Sequence, residues 1–234
     1  MTANEIRVKL KSLGSPARAE VSKRYFKTGP GQYSEGDIFY GNRAAELHGL
    51  ARDYQLLAED EILKLLRAPF HEERAVALLI FVRRFAQADP ATRKRIYELY
   101  LAHTAFINNW DLVDLSAPHV VGAYLVDKSR KPLYRLVRSR SLWERRISII
   151  STFHFIRQND FSDTLALARH LLADSEDLIH KAAGWMLREV GKRDMDAERT
   201  FLAEHYQRMP RTLLRYAIER FPEAERQSYL KGLI

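Results

Sequence analysis

Residues 71–87 read HEERAVALLIFVRRFAQ. Ala75, Leu78, Leu79, Val82, Phe85 and Ala86 recur at the 3, 4, 7 spacing of one helical face, while Arg74, Arg83 and Arg84 fall largely elsewhere. The spacing predicts an amphipathic helix over 71–87. Working outward, similar patterns cover 3–13, 16–27, 42–57, 59–68, 90–107, 110–126, 130–139, 141–157, 162–173, 176–192, 194–208, 210–220 and 223–232. No alternating strand pattern competes over any length. The breaks are short and carry proline or small polar residues: Pro69, Asp89-Pro90, Lys131-Pro132, Asp174-Ser175 and Pro210. The chain is therefore expected to be all-α.

Each helix pair spans about 30–40 residues, the period of HEAT-type solenoids, whose units bury their apolar faces only by stacking on neighbours. Self-similarity between pairs is weak, so a compact irregular bundle stays open on pattern alone. Residues 1–234 are expected to form a single domain, with about 195–234 as capping helices that offer no chemistry of their own. One segment differs. Thr28 to Gly41, TGPGQYSEGDIFYG, holds four of the ten glycines and must be a loop. No Lys-Ser/Thr pair follows it, so it is not a P-loop; it reads better as a long structured connection than as a nucleotide cradle.

Composition narrows the function. With no cysteine there is no disulfide, thiol nucleophile or Cys-ligated metal, which suits a reducing cytoplasm. The N-terminal stretch MTANEIRVKLKSLG has no uninterrupted apolar core, so no signal peptide is expected, and no stretch approaches the length of a transmembrane span. The net charge of +8 favours polyanionic partners: nucleic acid, an acidic membrane surface or an acidic protein. There is no His-Glu-x-x-His, Gly-x-Ser-x-Gly or Walker motif, and the eight histidines show no ligand spacing. No metal and no nucleotide cofactor is expected.

Three constellations stand out. In 175–192, SEDLIHKAAGWMLREVGK, Ile179, Ala183, Met186, Leu187 and Val190 form an apolar stripe. Trp185 lies roughly opposite, grouped with Lys181, Arg188 and Lys192. Such a ribbon suits a surface where the ring meets sugars or bases and the cations meet phosphates; the alternative is a ring packed on a neighbouring repeat with its lysines snorkelling. In Asn108-Asn109-Trp110-Asp111-Leu112-Val113-Asp114, Trp110 and Asp114 are i and i+4 and share one face. The ring can pack on a sugar while the carboxylate steadies a developing cation or positions a water. A salt bridge or helix cap is the commoner use of such a carboxylate. In 142–157, Arg146 falls inside the apolar face of Leu142, Ile149, Ile150, Phe153 and Ile156, and needs an anionic partner, a protein carboxylate or a DNA phosphate. Lys128 to Arg146 carries eight basic residues and one acid, Glu144, as a solvated face or a polyanion contact.

With these residues in view, the sequence resembles the AlkD-like family of DNA alkylation repair glycosylases, over about 24–193. The landmarks are Arg24-Tyr25-Phe26-Lys27-Thr28-Gly29, the glycine-rich loop to Gly41, Asn109 to Asp114, Trp143-Glu144-Arg145-Arg146 and Lys181 to Glu189. Their order and spacing carry the resemblance together. It implies a right-handed α-solenoid of HEAT-like repeats with a concave, basic face for double-stranded DNA. It implies excision of N3- and N7-alkylated purines without a base-flipping pocket. It places Asp114 as the catalytic carboxylate and Trp110 and Trp185 around the lesion-bearing deoxyribose. Arg146 matches the backbone-contacting arginine and Tyr25 a tyrosine near the lesion duplex, and Lys181, Arg188, Lys192 and Arg145 join them as DNA-binding candidates. The loop at 28–41 is longer than in some members. A monomer in the cytoplasm, associated with the nucleoid, is expected. The second reading is a non-catalytic binder of damaged or branched DNA, and a third a scaffold for an acidic protein.

Overall fold

The structure, a computed structural model, describes residues 1–234 and is all-helical: sixteen α-helices, most joined by short turns and α2 and α3 by a long connection, with no strand. The chain forms two units, Met1–Val120 and Val121–Ile234.

The first unit holds α1 (Ala3–Leu13), α2 (Pro16–Tyr25), α3 (Ala44–Asp53), α4 (Glu59–Leu66), α5 (His71–Gln87), α6 (Pro90–Ala102) and α7 (Trp110–Asp114). The helix predicted over 71–87 forms with those ends and is the hub: α3 and α4 pack on it most closely, with α1, α6 and α7 around them. Its first turn departs from the amphipathic reading, because His71, Glu72, Glu73 and Arg74 are all buried while Ala86 is exposed. The end of the glycine-rich loop explains the inversion. Glu72 accepts the backbone N–H of Tyr40 at 3.0 Å, of Gly41 at 2.8 Å and of Asn42 at 3.3 Å, so its charge is solvated by amides instead of water. Gly41 is required here: its φ is +79°, and a β-carbon would sit 2.3 Å from the Ser15 carbonyl oxygen. The segment 28–41 is a structured connection tied to α5.

Several helices stop earlier than their patterns suggest, among them α3 at Asp53 and α6 at Ala102, and two of the early stops have a visible backbone cause. The 16–27 segment ends at Tyr25, with Lys27 in the left-handed region at φ 55°. The 110–126 segment breaks after Asp114 and resumes as a π-helical turn over Pro118–Gly122, followed by Ala123–Leu125. Pro118 has no N–H to give the Asp114 carbonyl, so the α register cannot continue.

The second unit holds α8 (Ala123–Leu125), α9 (Lys131–Leu136), α10 (Leu142–Ser151), α11 (Phe153–Ile156), α12 (Ser162–His170), α13 (Asp177–Gly191), α14 (Met195–His205), α15 (Arg211–Ala217) and α16 (Glu223–Lys231). Here α13 is the hub, packed on α15, α10 and α14. The predicted stripe of Ile179, Ala183, Met186, Leu187 and Val190 is fully buried, and each large apolar member contributes about 2 kcal/mol. Gly184 permits the closest approach: a β-carbon there would lie 2.5 Å from the Leu213 carbonyl oxygen. The pattern over 141–157 divides at Thr152, where the Ser151 and Thr152 hydroxyls donate to the carbonyls of Ile147 and Ile149, both at 2.6 Å, and loosen the ladder. Past residue 195 the unit buries one carboxyl group, Glu198, against Gly191. Burial pushes Glu198 up to about 8, against the opposing pull of the Arg188 and Arg199 charges.

Candidate active site

The five-residue helix α7 is too short to hold itself; residues far away in sequence hold it. Its N-cap, Asn109, is fully buried and accepts the Trp110 N–H at 2.8 Å. The Asn109 amide donates to Ser34 Oγ at 2.5 Å and reaches Asp37 Oδ2 at 3.4 Å. Asp111 Oδ2 accepts from His71 Nε2 at 2.8 Å, and the other ring nitrogen of His71 faces Asp37 Oδ2 at 3.4 Å. Arg74 closes the set with a bond to Asp37 Oδ1 at 2.6 Å. Loop, α5 and α7 are thus joined by two carboxylates and two cations.

Burial alone would push the His71 imidazolium down. The charge and hydrogen bond of Asp111 outweigh it, with the Asp37 hydrogen bond adding, and raise His71 to about 9. His71 therefore carries a proton at neutral pH. Burial opposes the charged form of Asp37 as well, here by acting upward, but the His71 and Arg74 contacts prevail and hold its carboxyl below the usual range.

Aromatic rings complete the support. Phe26 stacks on Phe39 at 5.3 Å and lies 4.9 Å from His71 and 5.5 Å from Trp110. Trp110 Nε1 donates to the Tyr33 hydroxyl at 3.3 Å. What α7 offers to its surroundings is its 110/114 face, with Trp110 and Asp114 both half-buried. Tyr25 stands beside it, 63% exposed, with its ring 5.8 Å from Trp110 and nearly edge-on. Behind α7, the fully buried Tyr100 hydroxyl bonds Ser116 Oγ at 2.9 Å; burial raises its pKa, and the Asp114 charge adds to the effect. Asp114 thus lies where water is partly excluded, which strengthens its field.

Within the first unit the structure brings together Tyr25, Trp110 and Asp114. In the second unit Trp185 is half-buried and packs on Phe153 with ring centroids 5.8 Å apart, and its Nε1 donates to Glu189 Oε1 at 3.0 Å. The same Glu189 oxygen accepts from Lys192 at 2.6 Å. Lys181 pairs with Asp177 at 2.8 Å, and Arg188 with Glu219. Arg145 bonds Asp174 at 2.6 Å, and the buried Arg146 donates to the Leu178 carbonyl at 2.5 Å. No group of three or more His, Asp or Glu is placed to hold a metal. Sequence reasoning missed His71, Asp37, Asp111 and Phe26 as the frame of α7. They are 11–85 positions apart in the chain, and no periodic signal links them.

Fold and site together define an all-helical protein that presents an aromatic ring and a carboxylate on one short, rigidly supported helix. The chain belongs to the family of DNA alkylation repair enzymes, whose model matches residues 6–221. Membership makes it an enzyme of DNA repair and implies that it binds DNA. No curated protein matches the chain. Among solved structures it is similar to a predicted DNA alkylation repair enzyme from Enterococcus faecalis, at 14% identity and a TM-score of 0.68, over 90% of this chain and 97% of that one. At that identity the likeness is one of fold. No helix is long and apolar enough to cross a membrane.

Proposed function

We propose that this enzyme is a DNA glycosylase that hydrolyses the bond between C1′ and the base nitrogen of cationic N3- and N7-alkylated purines, such as 3-methyladenine and 7-methylguanine, in duplex DNA. It does so as a cytoplasmic monomer without a cofactor. The observation that carries this reading is the paired face of α7, Trp110 with Asp114, beside the exposed ring of Tyr25.

The chemistry asks little of the protein beyond a field. An alkylated purine is positively charged, so when the glycosidic bond breaks its electron pair goes to the base, which departs neutral. The positive charge moves to the deoxyribose as an oxocarbenium-like ion. A carboxylate about 4 Å away favours that ion by roughly 4 kcal/mol at an effective dielectric of about 20, which is on the order of a thousandfold in rate. The face of Trp110 adds attraction for a cationic sugar. Water then bonds to C1′ and its proton passes to the Asp114 carboxylate, which returns it to solvent. Because charge is sensed at the sugar, the base need not enter a closed pocket, and neutral lesions are poor substrates.

The resemblance gives Trp185 a part in holding the sugar and Arg146 a backbone contact; Trp185→Ala and Arg146→Gln test those roles separately from Asp114. The decisive measurement is release of free 7-methylguanine from methylated duplex, wild type beside Asp114→Asn. Release by the wild type that falls about a thousandfold in the variant, with duplex binding retained, is the expected result. Duplex binding with no base release from either protein would make the chain a non-catalytic reader of damaged DNA and overturn the catalytic assignment.

A further inference from the structure

Of the eight cations between Lys128 and Arg146, four are neutralised or buried. Lys128 pairs with Asp127, Arg130 with Asp160 and Asp163, and Arg145 with Asp174, while Arg146 is sunk onto the Leu178 carbonyl. The other four are Lys131, Arg135, Arg138 and Arg140. All four are exposed, and none makes an ion pair, a side-chain hydrogen bond or a ring contact. No acidic residue occurs from 131 to 143 to offset them.

Their placement is ordered. On α9 and the helical turn that extends it, Lys131, Arg135 and Arg138 follow one another at i, i+4 and i+7 and fall within about 60° of one another. The opposite side of α9 is the core side, with Leu133, Leu136 and Val137 buried. Arg140 continues beyond the turn. The helical part of this ridge is about 10 Å long at 1.5 Å per residue, which spans about three phosphate steps of one DNA strand along the axis.

The cations around Trp185 are in the opposite condition. Lys181, Arg188 and Lys192 each already face a carboxylate. A phosphate gains less from a cation that must leave or share its partner than from one whose only neighbours are water and mobile counterions.

We infer that Lys131, Arg135, Arg138 and Arg140 form the main phosphate-tracking ridge of this protein, binding the backbone of duplex DNA whether or not a lesion is present. The inference rests on the reading that the chain works on duplex DNA, and it moves the electrostatic load from the Trp185 helix to α9. Contacts of this kind position the protein on the duplex and carry no information about the base.

The test is the salt dependence of binding to a defined duplex, methylated and unmethylated. Each lost phosphate contact lowers the slope of log K against log salt by about 0.9. The triple variant Arg135→Gln, Arg138→Gln, Arg140→Gln should lower it by about 2.7 and weaken binding about five hundredfold near 0.1 M salt, equally for both duplexes. Lys181→Gln with Lys192→Gln should change the slope by well under the 1.8 expected of two free cations. All these side chains are exposed or partly exposed, and an unchanged melting temperature verifies folding. An unchanged slope in the triple variant, or an equal drop in the Lys181/Lys192 variant, overturns the ridge. A ridge required for binding an acidic protein but not DNA also overturns it. A wild type that binds duplex with this slope yet releases no base leaves the ridge standing and removes only the glycosylase reading. A wild type that binds no duplex at all removes both.

Discussion

Two half-buried tryptophans, one in each unit, sit on helices made in opposite ways. Trp185 belongs to a fifteen-residue helix whose apolar stripe lies within its own sequence, and the indole is seated by Glu189, one turn away. Trp110 opens a five-residue helix that has almost no local means of persisting. It is fixed by Asn109, by the bond from His71 to Asp111, and by Phe26 and Tyr33 from the loop region. A long helix carries its geometry with it, whereas a short one borrows its geometry from the tertiary frame. The borrowed helix is the one that presents the carboxylate, and it is held most firmly by charges in a low dielectric, where positioning is strictest.

The comparison breaks most sharply at His71. In His71→Leu the buried carboxylate Asp37 and the half-buried Asp111 lose a shared cation, and the first unit should be destabilised by about 3–5 kcal/mol. Amide hydrogen exchange should report the loss in α7 and leave α13 protected. The wild type carries the matching pH signature. The folded pKa of about 9 lies above the ordinary 6.5 of histidine. The contribution is therefore fully present below about pH 6.5 and is lost as the pH rises through 9. Denaturant titrations across that window should show the decline in wild type and a flat line from this source in His71→Leu. An α7 that stays protected in the variant would show that the clasp is dispensable.

The second unit has its own titration, by the opposite chemistry. Glu198 has a folded pKa of about 8 against an ordinary 4.5, so its contribution is present below pH 4.5 and is lost as the pH rises through 8. Glu198→Gln should remove that loss and stabilise the second unit at pH 8–9 by on the order of 3 kcal/mol. Protection of α13 and α14 amides at pH 8.5 is the measurement, and no gain over wild type would count against a neutral buried carboxyl. The smallest effect is expected at Gly184. There Gly184→Ala pushes a methyl group toward the Leu213 carbonyl and the Tyr216 Cβ, both 2.5 Å away, and should cost about 1–3 kcal/mol. The cost should be read in α13 and α15 exchange, with α7 unaffected. If α7 loosened equally, the contrast between a self-supporting and a borrowed helix would fail.

Much of this was legible in the residues alone. The spacing of Ala75, Leu78, Leu79 and Phe85 gives α5 its limits, and the stripe from Ile179 to Val190 gives α13 its buried side. The i, i+4 relation of Trp110 and Asp114 holds on α7, and the glycine-rich segment is a connection as read. The misreadings have local causes. Pro118 interrupts a pattern whose apolar residues run on past it, and the polar first turn of α5 looks solvent-facing until the loop that covers it is seen.

Periodicity is a property of neighbours three and four apart, so it could show that the chain is helical, where most helices begin and which residues share a face, while several helices end short of their patterns. Which charges are spent and which are free is a property of residues that meet across tens of positions. Arg145 finds Asp174, Arg130 finds Asp160 and Asp163, and His71 finds Asp37 and Asp111, while Arg135, Arg138 and Arg140 find no acid. Folding settles that, because a carboxylate neutralises a cation by lying within a few ångströms of it, and residues distant in the chain come that close only in the packed molecule.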